Sequence, residues 1–276
     1  MAKGTALTLD ERQRAMLREM GVPVWQPAAQ VGAPPSAPTA AAPAVVTPAT
    51  TAPAIDVAPA VPPPPALRPG VASMGWDGLR TAVAGCRACS LCESRRQTVF
   101  GVGHPRAHWM VVGEAPGEQE DLQGEPFVGA AGQLLDNMLR SIGVTRAVTA
   151  AAGSPPLEPA QQVYIANTLK CRPPRNRNPE REELLQCEPF LQRQIQLLQP
   201  RVILAMGRFA VQALLRTDEA IGRLRGRVHA YQGVPTIVTY HPAYLLRNLP
   251  DKARAWEDLC LAAHTMESLP PRAANG

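Results

Sequence analysis

Downstream of residue 72 the chain is expected to form an α/β domain, a three-layer α/β/α sandwich around a four-stranded parallel sheet. Two observations point there. Short apolar runs alternate with segments of helical period, the pattern of strands joined by crossover helices and covered on both faces. Polar residues able to do chemistry also fall at the ends of the apolar runs, where open α/β sheets place their ligands.

Taken in order, residues 107–112 (AHWMVV) read as a buried first strand, and residues 132–140 as a helix that turns Leu134, Leu135, Met138 and Leu139 inward. Residues 163–166 form the second strand, followed by a helix from about 179 to 198. Residues 201–206 form the third strand, which stops at Gly207 before a helix at 209–215. Residues 236–240 are the fourth strand and 252–266 the closing helix. Glu114, Asn167 and His241 then sit at or just beyond strand C-termini and converge on one edge of the sheet. Residues 147–161, Ala-rich and carrying Pro155-Pro156, read as a loop insertion with no evident chemical use.

The remainder of the 276 residues does not read as domain. Residues 27–71 are almost entirely Ala, Pro, Val and Thr, with only Asp56 and Arg68 charged. Such a stretch offers no amphipathic face to offset its ordering entropy, and it reads as a disordered, semi-extended tether. The folded unit is therefore expected at 72–269, with a disordered tail at 270–276. Ahead of the tether, within 1–26, Thr8-Leu-Asp-Glu11 forms a capping box opening an amphipathic turn with Met16, Leu17 and Met20, stopped by Gly21 and followed by Trp25. With no core of its own to join, this segment reads either as a frayed terminus or as a peptide that docks in a partner's groove.

The six cysteines do not suggest disulfides. The chain shows no secretory pattern and no apolar run of membrane-spanning length, so a reducing cytoplasmic setting without a membrane is expected. Cys86 and Cys89 form one short pair, Cys171 and Cys187 a wide one, and neither pair closes a site alone. Four thiolates suit zinc or an iron–sulfur cluster by count, and the wide second spacing favours iron–sulfur. Cys92 extends the first pair and competes as a ligand, although four are supplied without it; Cys260 lies in an amphipathic pattern and reads as core.

A net charge of +5 permits a polyanionic partner without requiring one. Lys170, Arg172, Arg175 and Arg177 crowd around Cys171 among prolines, a stiff irregular backbone suited to gripping phosphates. The plain alternative for such a cluster, and for Arg223, Arg225, Arg227 and Arg247 further on, is a solvated face.

Six ordered motifs carry a resemblance. They are Cys86-x2-Cys89, Gln97-Thr-Val-Phe-Gly-Val-Gly103, Gly113-Glu-Ala-Pro-Gly-Glu-Gln-Glu-Asp121, Gly124-Glu-Pro-Phe-Val-Gly-Ala-Ala-Gly-Gln133, Tyr164-Ile-Ala-Asn-Thr-Leu-Lys-Cys-Arg-Pro-Pro174 and His241-Pro-Ala-Tyr-Leu-Leu-Arg247. Together they resemble the family 4 uracil-DNA glycosylases, the iron–sulfur type. The resemblance implies a uracil-DNA glycosylase-like sandwich, a 4Fe-4S cluster on Cys86, Cys89, Cys171 and Cys187, uracil-containing DNA as partner, and action as a monomer. It implies hydrolysis of the uracil–deoxyribose bond after the nucleotide is flipped out of the helix.

By the same resemblance, Phe127 stacks on uracil, Asn167 reads its O4 and N3–H edge, and Glu120 excludes the thymine methyl. Glu114 lines the pocket, Asn176 is a candidate water holder, and His241 donates toward O2 where charge develops. Leu245 and Leu246 are candidates to fill the hole left by the flipped base, and Arg247 to hold a phosphate. Ala115 stands where family 1 relatives place a water-activating aspartate. The product-trapping subgroup's Lys-Arg-Arg-Ile-His insertion is absent between Cys171 and Cys187, so ordinary turnover is expected. Residues 20–27 resemble the segment by which one clamp-loader subunit grips another, making a replication protein a candidate partner for residues 8–27. A non-catalytic iron–sulfur DNA-binding or redox-sensing protein is the alternative, one that would not need a base-sized polar pocket.

Overall fold

The computed structural model describes residues 70–150 and 155–270. The readings for 1–26, for the tether up to residue 69 and for 271–276 lie outside the described residues. Six strands form one sheet: β1 (Val102–Gly103), β2 (Trp109–Gly113), β3 (Val163–Asn167), β4 (Val202–Met206), β5 (Val228–Tyr231) and β6 (Val234–Thr239), in the order β1-β3-β2-β4-β6-β5. The four central strands are parallel and are the four expected from sequence. The sheet is wider than expected because β1 and β5 add antiparallel edges.

Each central strand is buried on both faces, and its side chains divide with period two. Trp109, Val111, Ile165 and Leu204 join one core with Leu135, Met138 and Leu139 of helix α4 (Ala130–Ser141) and Trp256 and Leu259 of α9 (Asp251–Ser268). Met110, Val112, Ala166 and Ile203 face the other way, onto Leu191 and Ile195 of α5 (Arg181–Leu198) and Val211 and Leu214 of α6 (Arg208–Leu215). The helix α5 starts where Glu183 turns back to accept the Glu180 backbone N–H at 2.8 Å, capping the first turn.

A third core, at one end of the sandwich, gathers Leu79 and Val83 of α1 (Trp76–Ala84), Leu91 of α2 (Leu91–Ser94), Leu169, Phe190 and two of the cysteines. The inner end of the 147–161 insertion is stitched to the sheet rather than loose. His108 N–H donates to the Pro159 carbonyl at 2.9 Å and the Trp109 indole N–H to that of Ala160 at 2.9 Å. The remaining helices, α3 (Glu118–Gln123), α7 (Ile221–Leu224) and α8 (Pro242–Leu245), are short, and α3 and α8 flank the strand ends that carry the site. Among the described residues no helix is long and apolar enough to cross a membrane.

Candidate active site and cysteine cavity

Pairing in register puts Gly113 opposite Asn167 at the carboxyl ends of β2 and β3, and the turns beyond them are laced together. Gly113 O accepts from Thr168 N–H, and Glu114 O accepts from Leu169 N–H, each at 3.0 Å; the Thr168 hydroxyl also donates to Glu114 O. A pocket of about 200 Å³ opens at this edge, lined by Glu114, Ala115, Glu120, Phe127, Asn167, Asn176 and His241, with Arg177 and Ala243 at its sides. A larger cleft of about 600 Å³ lies between α5 and α6 and holds none of these residues.

Phe127 is buried, with its backbone in the left-handed region (φ 55°). That conformation costs a bulky residue roughly 1–3 kcal/mol and tends to persist at functional sites. Its ring stacks on the His241 imidazole at 5.2 Å between centroids, inclined by 26°. Gly113 floors this arrangement and has to lack a side chain: a Cβ there would lie 2.4 Å from Asn167 Oδ1 and 2.7 Å from Phe127 Cζ.

Asn167 is 2% exposed, and its Oδ1 has no hydrogen-bond partner among the described residues. A buried amide oxygen left unpaired costs about 1–3 kcal/mol, so it reads as an acceptor waiting for a ligand N–H. Across the slot the Glu120 carboxylate is pinned at both oxygens, accepting from Gly117 N–H at 3.1 Å and from Val128 N–H at 3.2 Å. Burial raises the Glu114 carboxyl above the usual carboxylate range, with the charge of Arg208 opposing. Asn176, also left-handed, accepts from Arg172 Nε–H at its Oδ1 at 2.7 Å.

His241 caps α8, its Nδ1 accepting the Ala243 backbone N–H at 3.2 Å. The ring proton therefore resides on Nε2. Burial, aided by the charge of Arg247, lowers its pKa to about 4. The imidazole is thus neutral near pH 7 and keeps one free donor.

Two expected DNA contacts are corrected. Lys170 is 1% exposed, and its Nζ donates inward to Asn167 O at 2.7 Å and Gln194 Oε1 at 2.6 Å, so it does not reach phosphate. Leu245, one turn after His241, faces the core and is fully buried. Its neighbour Leu246 is 42% exposed, and Arg247 and Arg175 are exposed. Arg177 is partly committed: both of its terminal nitrogens hold Glu183, at 2.9 and 2.6 Å.

Cys86, Cys89, Cys171 and Cys187, joined by Cys92, line one small closed cavity under Val83, Leu91 and Phe190. No disulfide joins any two of them. Sequence reasoning missed Arg95, whose guanidinium donates to Cys171 Sγ at 3.0 Å, Cys86 O at 2.8 Å and Ala84 O at 3.2 Å, bridging two of the cysteine-bearing stretches. It also missed Asp121, buried and accepting from the Arg96 and Gln97 N–H groups, which ties the chain after the first cysteine pair to α3. Burial pushes the Cys187 thiol up to about 12, so a thiolate there needs positive charge or metal beside it.

A ring, an amide with an unanswered acceptor and a neutral imidazole meet in one narrow slot on a parallel α/β/α sheet, an arrangement suited to a flat ligand that hydrogen-bonds at its edge. Residues 100–260 match the family model described as the uracil DNA glycosylase superfamily. The chain is 42% identical over 178 residues to the type-4 uracil-DNA glycosylase of Archaeoglobus fulgidus, an alignment spanning 62% of this chain and 82% of that one. It is 37% identical over 203 residues to the Saccharolobus solfataricus type-4 enzyme, spanning 70% and 88%, and 40% identical over 171 residues to that of Thermotoga maritima, spanning 61% and 82%. The chain belongs to the type-4 family of the uracil-DNA glycosylase superfamily.

Proposed function

We propose that this protein hydrolyses the N-glycosidic bond of deoxyuridine flipped out of DNA, leaving an abasic site and starting base excision repair. The observation that carries the reading is the meeting of Phe127, Asn167 and His241 in one slot. Extruding a base costs a few kcal/mol, least at a mismatch. Stacking on Phe127 offsets about 1–3 kcal/mol of that. Asn167 Oδ1 accepts from uracil N3–H while its amide N–H donates to O4. Glu120, fixed at both oxygens, forms the wall that a 5-methyl group meets.

As the bond breaks, its electron pair leaves with uracil and charge gathers on O2. The His241 Nε2–H is preoriented for that oxygen, and stabilisation is largest where charge develops in a water-poor site. The sugar carbon, now cationic, is attacked by a water held at Asn176; the proton that this water loses passes to the uracil anion, so that free uracil and the sugar hydroxyl of the abasic site are the products. Glu114 offers a carboxylate to the same cation. No carboxylate stands at Ala115, and an electrophile of this strength needs little activation of its water. Arg172, Arg175 and Arg247 hold phosphates, and Leu246 fills the vacated stack.

The cysteines fit an iron–sulfur cluster. Four of them, joined by Cys92, line one shared cavity, and four thiolates are the ligand set of such a cluster. Cys86, Cys89, Cys171 and Cys187 would hold the cluster, with Arg95 beside Cys171 supplying charge and a hydrogen bond. When bound, a 4Fe-4S cluster supplies a cross-link among three stretches of chain.

The test is incubation of iron-loaded protein with a uracil-containing oligonucleotide, measuring free uracil and alkali-labile sites against a thymine control. Release of uracil alone is expected. No release from uracil strands, with DNA binding intact, would overturn the reading in favour of a binding or sensing protein.

A further inference from the structure

Lys170 stands three residues after Asn167 and immediately before Cys171, and it is among the largest fully buried side chains of the protein. Two of its three ammonium protons are placed, on the Asn167 carbonyl and on Gln194 Oε1. Gln194 is itself fully buried and anchored, donating to Phe100 O at 2.8 Å and to the Tyr164 hydroxyl at 3.3 Å. At its other end Lys170 is held by the cysteine region. Its backbone N–H donates to Cys187 Sγ at 3.2 Å, and its carbonyl accepts from Val99 N–H at 2.8 Å.

Burying an ammonium among neutral acceptors is expensive, and an unbranched apolar side chain would fill the same space without that cost. What the charge adds is two directed bonds, one of which fixes the backbone of Asn167. That matters because the amide oxygen of Asn167 has no partner of its own. Its direction is inherited from the backbone beneath it, through strand pairing with Gly113 on one side and Lys170 on the other.

We propose that Lys170 is a positioning residue for base recognition, a strut that joins the cysteine cavity to Asn167 and aims its amide into the slot. The inference rests on the reading of Asn167 as the residue that contacts uracil. A disturbance at Cys171 or Cys187 then reaches the pocket through four residues of chain and one buried ammonium, without any change in the sheet.

The test uses the full-length protein and the Lys170→Met variant, with iron content and visible absorbance recorded first. Binding of free uracil is then measured by titration, and kcat and KM on a uracil-containing strand are measured for both proteins. Lys170→Met should keep its iron, since all four cysteines and the backbone donor to Cys187 remain, while uracil binding weakens about tenfold, the range for losing a hydrogen bond to a charged group. In an Asn167→Ala background the same change should add nothing, because Lys170 acts through Asn167.

Unchanged uracil binding in Lys170→Met, or losses that multiply in the double variant, would overturn the proposal. If Lys170→Met loses iron or does not fold, Gln194→Met decides, since it leaves Lys170 and the cysteines in place. Binding weakened severalfold there supports the strut, and binding equal to wild type overturns it. Failure of the wild-type protein itself to bind or release uracil would instead remove the underlying reading of the site.

Discussion

Replacing His241 with alanine separates two functions that one ring performs. Its Nδ1 caps α8 through the Ala243 N–H, which leaves Nε2–H as the donor of a ring that lines the slot. Losing an N-cap acceptor costs about 1 kcal/mol of stability. Losing a preoriented donor to a developing oxyanion costs about 2.7–4 kcal/mol of barrier, or roughly 100- to 1,000-fold in rate. His241→Asn retains a capping side chain but does not extend into the slot. Both variants should therefore fall by the larger factor in single-turnover cleavage of a uracil strand, while only His241→Ala loses thermal stability. Affinity for the strand should stay within a fewfold of wild type. Because burial holds the ring neutral down to about pH 4, the wild-type rate should show no step at the ordinary histidine value near 6.5. A rate loss below tenfold in both variants, or a clear titration near 6.5 that His241→Asn abolishes, would refute the role.

Gly113→Ala should reduce uracil binding sharply while leaving most of the fold intact, because the new methyl meets Asn167 Oδ1 at 2.4 Å and Phe127 Cζ at 2.7 Å; calorimetric binding of uracil checks it. Leu245→Ala should destabilise the domain by about 2–5 kcal/mol, as a fully buried leucine lost from a core does, whereas Leu246→Ala should leave melting unchanged and slow excision from duplex more than from single strands. Arg95→Met should lower the iron-to-protein ratio and the melting temperature, since three hydrogen bonds spanning the cysteine stretches go with it. His241 also predicts a pH dependence of stability: with its folded value depressed, its contribution is complete above about 6.5 and is lost as pH falls toward about 4. Denaturant unfolding of wild type and His241→Asn should coincide above about pH 6.5 and diverge on acidification, wild type losing stability that His241→Asn keeps.

The four parallel strands were legible because each is an apolar run, and their carboxyl ends point to Glu114, Asn167 and His241. The edge strands were not: β1 has two residues, and β5 carries His229, a buried polar residue whose Nε2 lies 2.7 Å from the Leu224 carbonyl. Helix α1 escaped notice because it follows directly on the low-complexity stretch in sequence, and its buried Leu79 and Val83 join the cysteine end. Lys170 was misassigned for a physical reason: charge and neighbouring arginines suggest an exposed loop, whereas the turn that follows β3 carries its side chain inward onto Gln194 of α5. Leu245 and Leu246 are adjacent in sequence and differ only in which side of a one-turn helix they occupy. For Arg95 a signal existed in its place three residues beyond Cys92, but spacing alone does not say that a guanidinium turns back onto a sulfur.

Arg175 and Asn176 are consecutive and both left-handed, at φ 55°. Neither has the freedom of glycine, and each is held there at a cost of roughly 1 kcal/mol or more. Glycine at either position would relax the turn, so a screen for heat resistance alone should favour such replacements. It would thereby strip away the guanidinium and the amide that this tight corner presents, and a sturdier protein would emerge as a poorer repair enzyme.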